Sequence, residues 1–525
     1  MSYRNMGRFV VLTCASAIVL ACGVQLFNAG TSRAQEGGRQ SKGKLSTVTT
    51  EDLKWPMPPG VDKSYDAIDG NKLHGYVEEL SAISERYRDA GNQWWGRIAG
   101  TPSMTESQKW FADKLKAAGI PVETVSVADP QDLPKSWDLT VSAGGKTMKL
   151  ESTFPLIDFA QYAPKTKGDE ELDAVWVSLG QESDFLGKDV RGKAVFIYSI
   201  PTPSALVQSA MWMESVGRAE KAGAAAVIVD VALPGNMKYV SHMNGGRLRD
   251  VKIPLFTIGD QDGQAVEHLN AAAKGVGLKT HLRWDVEHYD SKDDIVIGKL
   301  QGMTDENAIL LAHMDGFFDG AIDDGAGTAA VVGTAEYFAR VPKEKRRRTL
   351  YFISLPDHHG NDRSGAWLHE NYKAILAKTA LVTNSEHVAV TDSVLDRRWG
   401  SNDEPSLIAT NASYPSWWGV YGSNQLAHLI VHDLATFGMP TQRSASGAEG
   451  ELTRVQFDAP SFYIDNKGAY FHCDADTPDK VPADTLRNAV QAFAKIYTDL
   501  DKLDLKDLQA PPSERPGVAE HDQGQ

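Results

Sequence analysis

The segment SLPDHHGNDRSG, at residues 354–365, follows the apolar run RTLYFI and contains three side chains that could take part in chemistry: Asp357, His358 and His359. An apolar run that ends in a carboxylate and two imidazoles predicts a buried strand followed by a polar turn. A structural loop with hydrogen-bonded histidines would give the same pattern. The segment therefore indicates a metal site only if other segments supply further ligands.

Four further segments carry side chains of the metal-ligand type. They are LLAHMDG with His313 and Asp315, GAIDDGAG with Asp323 and Asp324, TNSEH with Glu386 and His387, and YFHCDADTPDKV with His472. Each alone has an ordinary explanation, such as a helix cap at the paired aspartates. Together the segments offer nitrogen and carboxylate ligands, which suit zinc or a similar divalent ion. Because one ion needs about three or four ligands, the set predicts two ions that share a bridging carboxylate.

The elements around these segments predict how the ligands meet. The apolar runs AILLAHMD, RTLYFISLP and ALVTNSEH alternate with helical sequence such as GTAAVVGTAEYFARV. Apolar strands separated by helices predict an α/β fold with a mostly parallel sheet that helices flank on both faces. Ligands bind at the carboxyl ends of the strands in such a sheet. Residues 395–455, rich in Trp, Tyr, Gly, Ser and Asn, are predicted to form long loops over it.

Residues 151–290 predict a small α/β module of their own, with the strands GKAVFIYSI, AAAVIVDVA and IPLFTIG. No ligand candidate lies in this module, so we expect it to be dispensable for metal binding. The predicted organisation is a signal peptide at 1–34, a linker at 35–65, a catalytic domain in two parts at 66–150 and 291–508, the insertion at 151–290, and a disordered tail at 509–525.

The amino-acid composition and the first residues indicate which partners and which cellular location to expect. The 525 residues carry a net charge of −15, and the sequence contains no basic stripe. A nucleic-acid partner is therefore not expected. Arg4 and Arg8 precede the apolar run FVVLTCASAIVLACGVQLF, and TSRAQ offers a cleavage site after Ala34. This pattern predicts export to the periplasm or the medium, with no transmembrane segment in the mature chain. A membrane anchor is the alternative, and lipid attachment at Cys22 is a variant. After cleavage only Cys473 remains, so no internal disulfide can form.

The order of the motifs resembles that of metallopeptidase family 28, the co-catalytic zinc aminopeptidases and glutamate carboxypeptidases. The family pattern is His-x-Asp, Gly-x-x-Asp-Asp-x-x-Gly, Glu-Glu, Asp, and a His near Asp-Thr-Pro-Asp-Lys. It is matched by HMD, GAIDDGAG, DH, SE and HCDADTPDK. The module at 151–290 resembles the protease-associated (PA) domain. The resemblance implies a zinc-dependent exopeptidase-like fold with an inserted PA-like domain, and an aminopeptidase-like hydrolase that acts on a peptide or a small amide.

The resemblance also implies a role for each site residue. His313, Asp323 and Glu386 would hold one zinc ion; Asp323, His358 and His472 would hold the other, with Asp323 bridging. Asp315 would orient His313 through the second ring nitrogen, and Asp357 would be the general base. His359 is the alternative to His358 as a ligand.

Three of these residues differ from the family pattern. Asp357 and His358 stand where the family has Glu-Glu, and Glu386 stands where it has Asp. The base is therefore shorter by one methylene, and the ligand set has one negative charge fewer. The altered pair leaves open a non-peptide amidase. A glutaminyl-cyclase-like transferase with one metal and a non-catalytic binding relative also stay open, and metal content would separate them.

Overall fold

The computed structural model describes residues 62–155, 157–158, 161–162, 167–199, 212–240, 251–273, 277–396, 406–413, 416–439, 441–443, 458–466 and 468–509. All of them belong to one compact unit, Gly37–Gln525. The predicted signal peptide, Cys22, nearly all of the linker and all but the first residue of the predicted tail lie outside these ranges. Among the helices that are described, none has the length and apolarity needed to cross a bilayer.

An eight-stranded mixed sheet, here called the main sheet, carries the strand ends that the sequence singles out. Its strands are, in spatial order, Val122–Ala128, Lys292–Leu300, Thr349–Leu355, Asn307–His313, Thr379–Ser385, Ser461–Asp465, Ser416–Tyr421 and Thr441–Arg443. The four central strands, from Thr349–Leu355 to Ser461–Asp465, are mutually parallel. Antiparallel pairs join this parallel centre to the strands on both sides.

Both faces of the main sheet are apolar and covered by helices, as the unbroken apolar runs predict. In the central strand Asn307–His313, Leu310 and Ala312 pack on one face, and Ile309 and Leu311 pack on the other. The first face is covered by the helices Gly70–Asp89, Pro102–Ala117, Gly327–Ala339, Asn424–Thr436, Ala483–Leu500 and Leu505–Leu508. The second is covered by Arg363–Asn371 and Lys373–Leu376. The predicted α/β fold is therefore confirmed.

A second eight-stranded sheet, here called the second sheet, precedes most of the main sheet in the chain. Its strands are, in spatial order, Lys146–Lys149, Gln131–Ala143, Leu278–Tyr289, Gly168–Trp176, Ala194–Ser199, Ala226–Val231, Leu255–Gly259 and Phe154–Pro155. The helices Trp212–Lys221 and Asp260–Ala272 accompany it. The sheet begins at Gln131, ahead of the predicted boundary at 151, because the strand Gln131–Ala143 pairs along its length with Leu278–Tyr289.

The prediction of long loops over residues 395–455 is wrong for the described part of that stretch. It contains the strands Ser406–Ser413, Ser416–Tyr421 and Thr441–Arg443 and the helix Asn424–Thr436. Ser416–Tyr421 joins the main sheet antiparallel to Ser461–Asp465, and it buries Trp418 and Val420. These side chains belong to the core, and the serines and glycines around them obscured the alternating pattern of a strand.

Candidate metal centre

The carboxylate of Asp323 lies at the centre of four imidazole rings. Its Oδ1 atom is 2.9 Å from His387 Nε2 and 3.3 Å from His313 Nε2. Its Oδ2 atom is 2.6 Å from His472 Nε2 and 3.4 Å from His359 Nε2. All five residues are buried. Each oxygen of one carboxylate therefore faces two ring nitrogens, which is the arrangement expected of a bridging ligand between two cations.

The other ring nitrogen, Nδ1, of each histidine faces an oxygen. His313 Nδ1 is 2.9 Å from Asp315 O, His387 Nδ1 is 2.7 Å from Asp465 Oδ1, His472 Nδ1 is 3.1 Å from Val240 O, and His359 Nδ1 is 3.3 Å from Asp315 Oδ2. An oxygen beside Nδ1 favours the tautomer that carries its proton there. The Nε2 lone pairs are thereby left to point at Asp323, as in histidines that bind a metal.

The turn that carries Asp323 is held from two sides. Asp476, in the DTPDK motif, accepts hydrogen bonds from the backbone N–H groups of Ile322 (2.7 Å) and Asp323 (3.2 Å). Asp324 accepts from the N–H groups of Gly327 and His387, each at 3.0 Å. The helix Gly327–Ala339 starts here, and its first glycine is required because a Cβ there would lie 2.0 Å from Ser385 O. The GAIDDGAG motif thus places Asp323 and supports His387.

A buried arginine holds the loop that follows His313. The Arg97 side chain donates to three backbone carbonyls: Nε to Met314 (2.9 Å), Nη1 to Asp319 (2.9 Å) and Nη2 to Gly320 (2.8 Å). The short strand Gly96–Arg97 pairs with Gly316–Phe317 of the same loop. The planar guanidinium suits this fan of acceptors. It fixes the backbone between two ligand-bearing segments.

Two of the histidines have a left-handed backbone conformation. The φ angles of His387 and His472 are 48° and 57°. A non-glycine residue in this region costs on the order of 1 kcal/mol, and such residues cluster at functional sites. At His387 the bond from its N–H to Asp324 holds the backbone, and at His472 the backbone carbonyl accepts a hydrogen bond from the N–H of Val240.

Burial and charge act differently on the two sides of Asp323. Although burial opposes its ionisation, the facing histidines hold the pKa of Asp323 well below the usual aspartate range. Burial lowers the pKa of His472 to about 3 and also lowers the pKa of His359, so both imidazoles are neutral and can offer a lone pair to a cation. Burial opposes charge on His313 and His387 as well, but the carboxylates beside them raise both pKa values well above the usual range. A positive charge between these rings and Asp323, whether a proton or a metal ion, is therefore favoured on that side.

The structure brings five of the predicted site residues, His313, Asp323, His358, Glu386 and His472, into one region, but two of them do not face Asp323. His358 stacks on His313, with ring centroids 4.3 Å apart. Its Nε2 lies 3.9 Å from Glu386 Oε1, and ligand atoms of His313, His358 and Glu386 lie within 4.8 Å of one another. The His358 side chain is 13% exposed, whereas the four histidines around Asp323 are at most 5% exposed.

Asp315 contacts the histidine pair directly. Its carboxylate accepts hydrogen bonds from the backbone N–H groups of His358 (3.0 Å) and His359 (2.6 Å). Its backbone carbonyl and its Oδ1 atom lie 2.9 and 3.4 Å from His313 Nδ1. Asp315 therefore contacts the second nitrogen of His313, mainly through its backbone carbonyl, and also holds the His358–His359 backbone.

Asp357, the predicted base, is hydrogen-bonded to the start of a helix. Its carboxylate accepts hydrogen bonds from the backbone N–H groups of Arg363 and Ser364 and from the Ser364 hydroxyl. It caps the helix Arg363–Asn371 by accepting from the first N–H groups of that helix. Burial raises the pKa of Asp357 well above the usual range. Its oxygens are committed to the helix.

The sequence analysis favours His358 over His359 and gives His387 no role, yet His359 and His387 are the residues that face Asp323. Each is one residue downstream of the predicted ligand. The signal was present, since HH and EH are both pairs of ligand-type residues after an apolar strand. Asp465, which contacts His387 Nδ1, ends the strand Ser461–Asp465 and was also passed over.

The residues present fit a divalent metal. Among the described residues, His313 Nε2 and Asp323 Oδ2 are buried polar atoms without a hydrogen-bond partner of ordinary geometry. In a tetrahedral zinc site with Zn–N of about 2.0–2.1 Å, ligand atoms lie about 3.3 Å apart. The triangle of Asp323 Oδ2, His359 Nε2 and His472 Nε2 has sides of 3.4, 3.1 and 2.6 Å. A cation would satisfy all three atoms at once.

The sequence of this region resembles a known family. Residues 295–497 match the model described as peptidase family M28. We refer to them as the M28 stretch. All of the histidines around Asp323, and Asp323 itself, lie within the M28 stretch. The predicted resemblance is therefore confirmed, while the inserted PA-like domain stays a prediction.

Proteins of known name and structure resemble the chain beyond the M28 stretch. Aminopeptidase YwaD of Bacillus subtilis (strain 168) is 24% identical over 259 residues, which are 49% of this chain and 50% of the relative, so the match spans half the length of that relative. A peptidase M28 precursor from Shewanella amazonensis SB2B superposes with a TM-score of 0.61 at 16% identity, covering 86% of this chain and 97% of that one. BSAP, a zinc aminopeptidase from B. subtilis, superposes with a TM-score of 0.57 at 16% identity, covering 85% and 98%. These likenesses show the fold.

Proposed function

We propose that the protein is a metal-dependent hydrolase of peptide bonds, an aminopeptidase-like exopeptidase that holds two zinc ions. The observation that carries the proposal is the Asp323 carboxylate, whose two oxygens each face two histidine Nε2 atoms at 2.6–3.4 Å. The match to the M28 family model and the names of the aminopeptidase relatives support the reaction class. Nitrogen and oxygen donors without a thiolate suit zinc.

The geometry favours two ligand sets that differ from those drawn from the sequence. One ion would be held by His313, Asp323 and His387, and the other by Asp323, His359 and His472. Each set leaves at least one coordination position for water or substrate, as catalytic zinc sites do. Zinc bound here would polarise the scissile carbonyl and lower the pKa of water. The remaining chemistry falls to the side chains around it.

His358 is the residue best placed to accept the proton from the attacking water. It is the most exposed imidazole of the cluster, and its ring is held against His313 by stacking at 4.3 Å. A histidine is a suitable base because its ordinary pKa lies near neutrality. Glu386 Oε1, at 3.9 Å from His358 Nε2, would stabilise the protonated ring. The bonds of Asp357 to the helix N-terminus favour His358 over Asp357 in this role.

The N-terminal sequence supports an exported enzyme. Arg4 and Arg8, the apolar run after them and the cleavage site after Ala34 form the pattern of a signal peptide. We propose a periplasmic or secreted location, with lipid attachment at Cys22 as the variant. N-terminal sequencing of the mature protein from the native host distinguishes cleavage after Ala34 from cleavage before Cys22.

Metal content and a substrate screen together test the function. Purified protein dialysed against metal-free buffer should retain about two zinc ions per chain by elemental analysis. It should release amino acids from aminoacyl anilides, and a strong chelator should abolish that activity. N-acetylated versions of the same anilides serve as the matched control, since an aminopeptidase requires the free amine. Protein that holds no metal would overturn the proposal, and equal turnover of acetylated substrates would replace the aminopeptidase with an amidase.

A further inference from the structure

The segment Met237–Val240, which is part of the second-sheet region, contacts the candidate metal centre at His472. This segment lies between the strands Ala226–Val231 and Leu255–Gly259 and runs antiparallel to the stretch His472–Asp474. Val240 N donates to His472 O at 2.9 Å, and Tyr239 forms a β-bridge with Cys473. Lys238 and Asp474 exchange two hydrogen bonds of 3.0 and 3.1 Å. The ligand-bearing stretch is therefore paired with a segment that belongs to the other sheet.

The pairing also sets the orientation of the His472 ring. His472 Nδ1 is 3.1 Å from Val240 O, which leaves Nε2 directed at Asp323. The Nδ1 atoms of the other three histidines of the centre lie beside Asp315 or Asp465. Asp465 ends a main-sheet strand, and Asp315 comes just after one. His472 is thus the one histidine of this set that depends on the second sheet. The backbone of His472 has a left-handed conformation, with φ of 57°. Such a conformation persists only when its surroundings hold it, so His472 needs this support.

Within the second sheet, Thr257 holds the segment in place. Its Oγ1 hydroxyl, on the strand Leu255–Gly259, donates to Tyr239 O at 2.7 Å. Thr257 is 1% exposed and Tyr239 is 1% exposed, so water does not compete for this bond. A continuous set of contacts therefore runs from Thr257 through Tyr239 and Val240 to His472.

We propose that the second sheet is a positioning element for one of the two metal sites, and that Thr257 is a positioning residue for His472. The inference rests on the proposed function, because His472 must be a metal ligand. It contradicts the expectation that the module without ligands is dispensable for metal binding. The physical reason is that a ring held in one tautomer and one orientation binds metal more tightly than a ring that must be ordered on binding.

Replacing the hydroxyl of Thr257 tests the inference. Thr257→Val keeps the shape of the side chain and removes the donor to Tyr239 O, whereas Thr257→Ser keeps the donor. Thr280→Val is the matched control, because Thr280 is an equally buried threonine of the same sheet whose hydroxyl donates to Leu172 O at 3.3 Å. Zinc per chain is measured after dialysis against a series of chelators of increasing strength.

Thr257→Val should lower the affinity for one of the two zinc ions by about tenfold and leave the affinity for the other unchanged. Tenfold is the lower end of the usual effect of losing a residue that supports a metal ligand. Thr257→Ser and Thr280→Val should retain both ions as the wild type does. The inference would be overturned if Thr257→Val protein retained both zinc ions, or if Thr280→Val protein lost one zinc ion just as readily. The proposed function would stand in either case. Wild-type protein without metal would overturn the proposed function, and the inference with it.

Discussion

His387 Nε2 lies 2.9 Å from Asp323 Oδ1, although the sequence pattern favours Glu386 as the ligand from this strand. The reason lies in the backbone after the strand Thr379–Ser385. His387 has a φ of 48°, and its N–H donates to Asp324, so the chain turns its ring back toward the Asp323 carboxylate. Glu386 instead accepts a hydrogen bond from Asn384 at 2.7 Å and lies beside His358.

The first prediction follows from this pair of neighbours. His387→Gln should remove one of the two metal ions, because the Nε2 atom that faces Asp323 is lost. Glu386→Gln, which introduces the same residue one position earlier, should retain both ions. Elemental analysis of the two dialysed variants decides between them, and loss of metal from the Glu386 variant with retention in the His387 variant would restore the ligand set read from the sequence.

The second prediction concerns His358 and His359. His359→Ala should lose one ion and lower the melting temperature, since bound metal stabilises the folded chain. His358→Ala should keep both ions and lower kcat by about 10²–10⁴-fold, the usual contribution of a general base. Metal content and steady-state kinetics measured on the same preparations separate the two roles. A His358 variant of normal activity would remove it from the mechanism.

The third prediction assigns Asp357 to stability. Asp357→Ala leaves the N–H groups of Arg363 and Ser364 without their acceptor, at a cost of about 1–2 kcal/mol in the free energy of unfolding. Metal content should be unchanged, and kcat for the folded protein should stay within about twofold of the wild-type value, because general-base loss would instead cost about 10²–10⁴-fold. Urea unfolding and kinetics at saturating zinc provide the two measurements. A loss of activity at that larger scale with intact metal would return the role of base to Asp357.

Much of the centre could be predicted because its information is local. A strand that is apolar throughout and ends in a ligand-type residue is visible in the sequence, and the parallel main sheet brings such ends together at one edge. His313 was found in this way, whereas Asp323 and His472 were found in the motifs GAIDDGAG and HCDADTPDK, which resemble those of the family. The choice between neighbours in the pairs HH and EH is not local. It depends on which backbone groups Asp315 and Asp324 accept from, and both contacts span more than forty residues of chain.

The contact between the second sheet and His472 could not be predicted for the same reason. Val240 and His472 are 232 residues apart in the chain, and the contact is made by a backbone carbonyl, which leaves no mark in the identity of the residue. The capping role of Asp357 was hidden as well, because it precedes the helix Arg363–Asn371 by a turn instead of standing at the adjacent N-cap position.

The fourth prediction concerns a buried carboxyl group in the second sheet, away from the metal centre. Asp230, on the strand Ala226–Val231, is 1% exposed, and in the described part of the chain neither of its oxygens has a hydrogen-bond partner. Burial, aided by the nearby charges of Asp260 and Glu267, raises its pKa to about 9. The folded chain therefore holds a proton on Asp230 that the unfolded chain releases near the ordinary value of 3.8.

The sign of the effect on stability follows from this difference. Between about pH 4 and pH 9 the unfolded state binds fewer protons, so Asp230 lowers the free energy of unfolding by about 1.4 kcal/mol for each unit of rising pH. Asp230→Asn has nearly the same shape and does not ionise. It should therefore unfold at higher urea concentration than the wild type, with a gain that is small at pH 5 and larger at pH 8. Urea unfolding of both proteins at saturating zinc across this range measures the gain, and a difference that stays constant with pH would show that Asp230 does not titrate in this way.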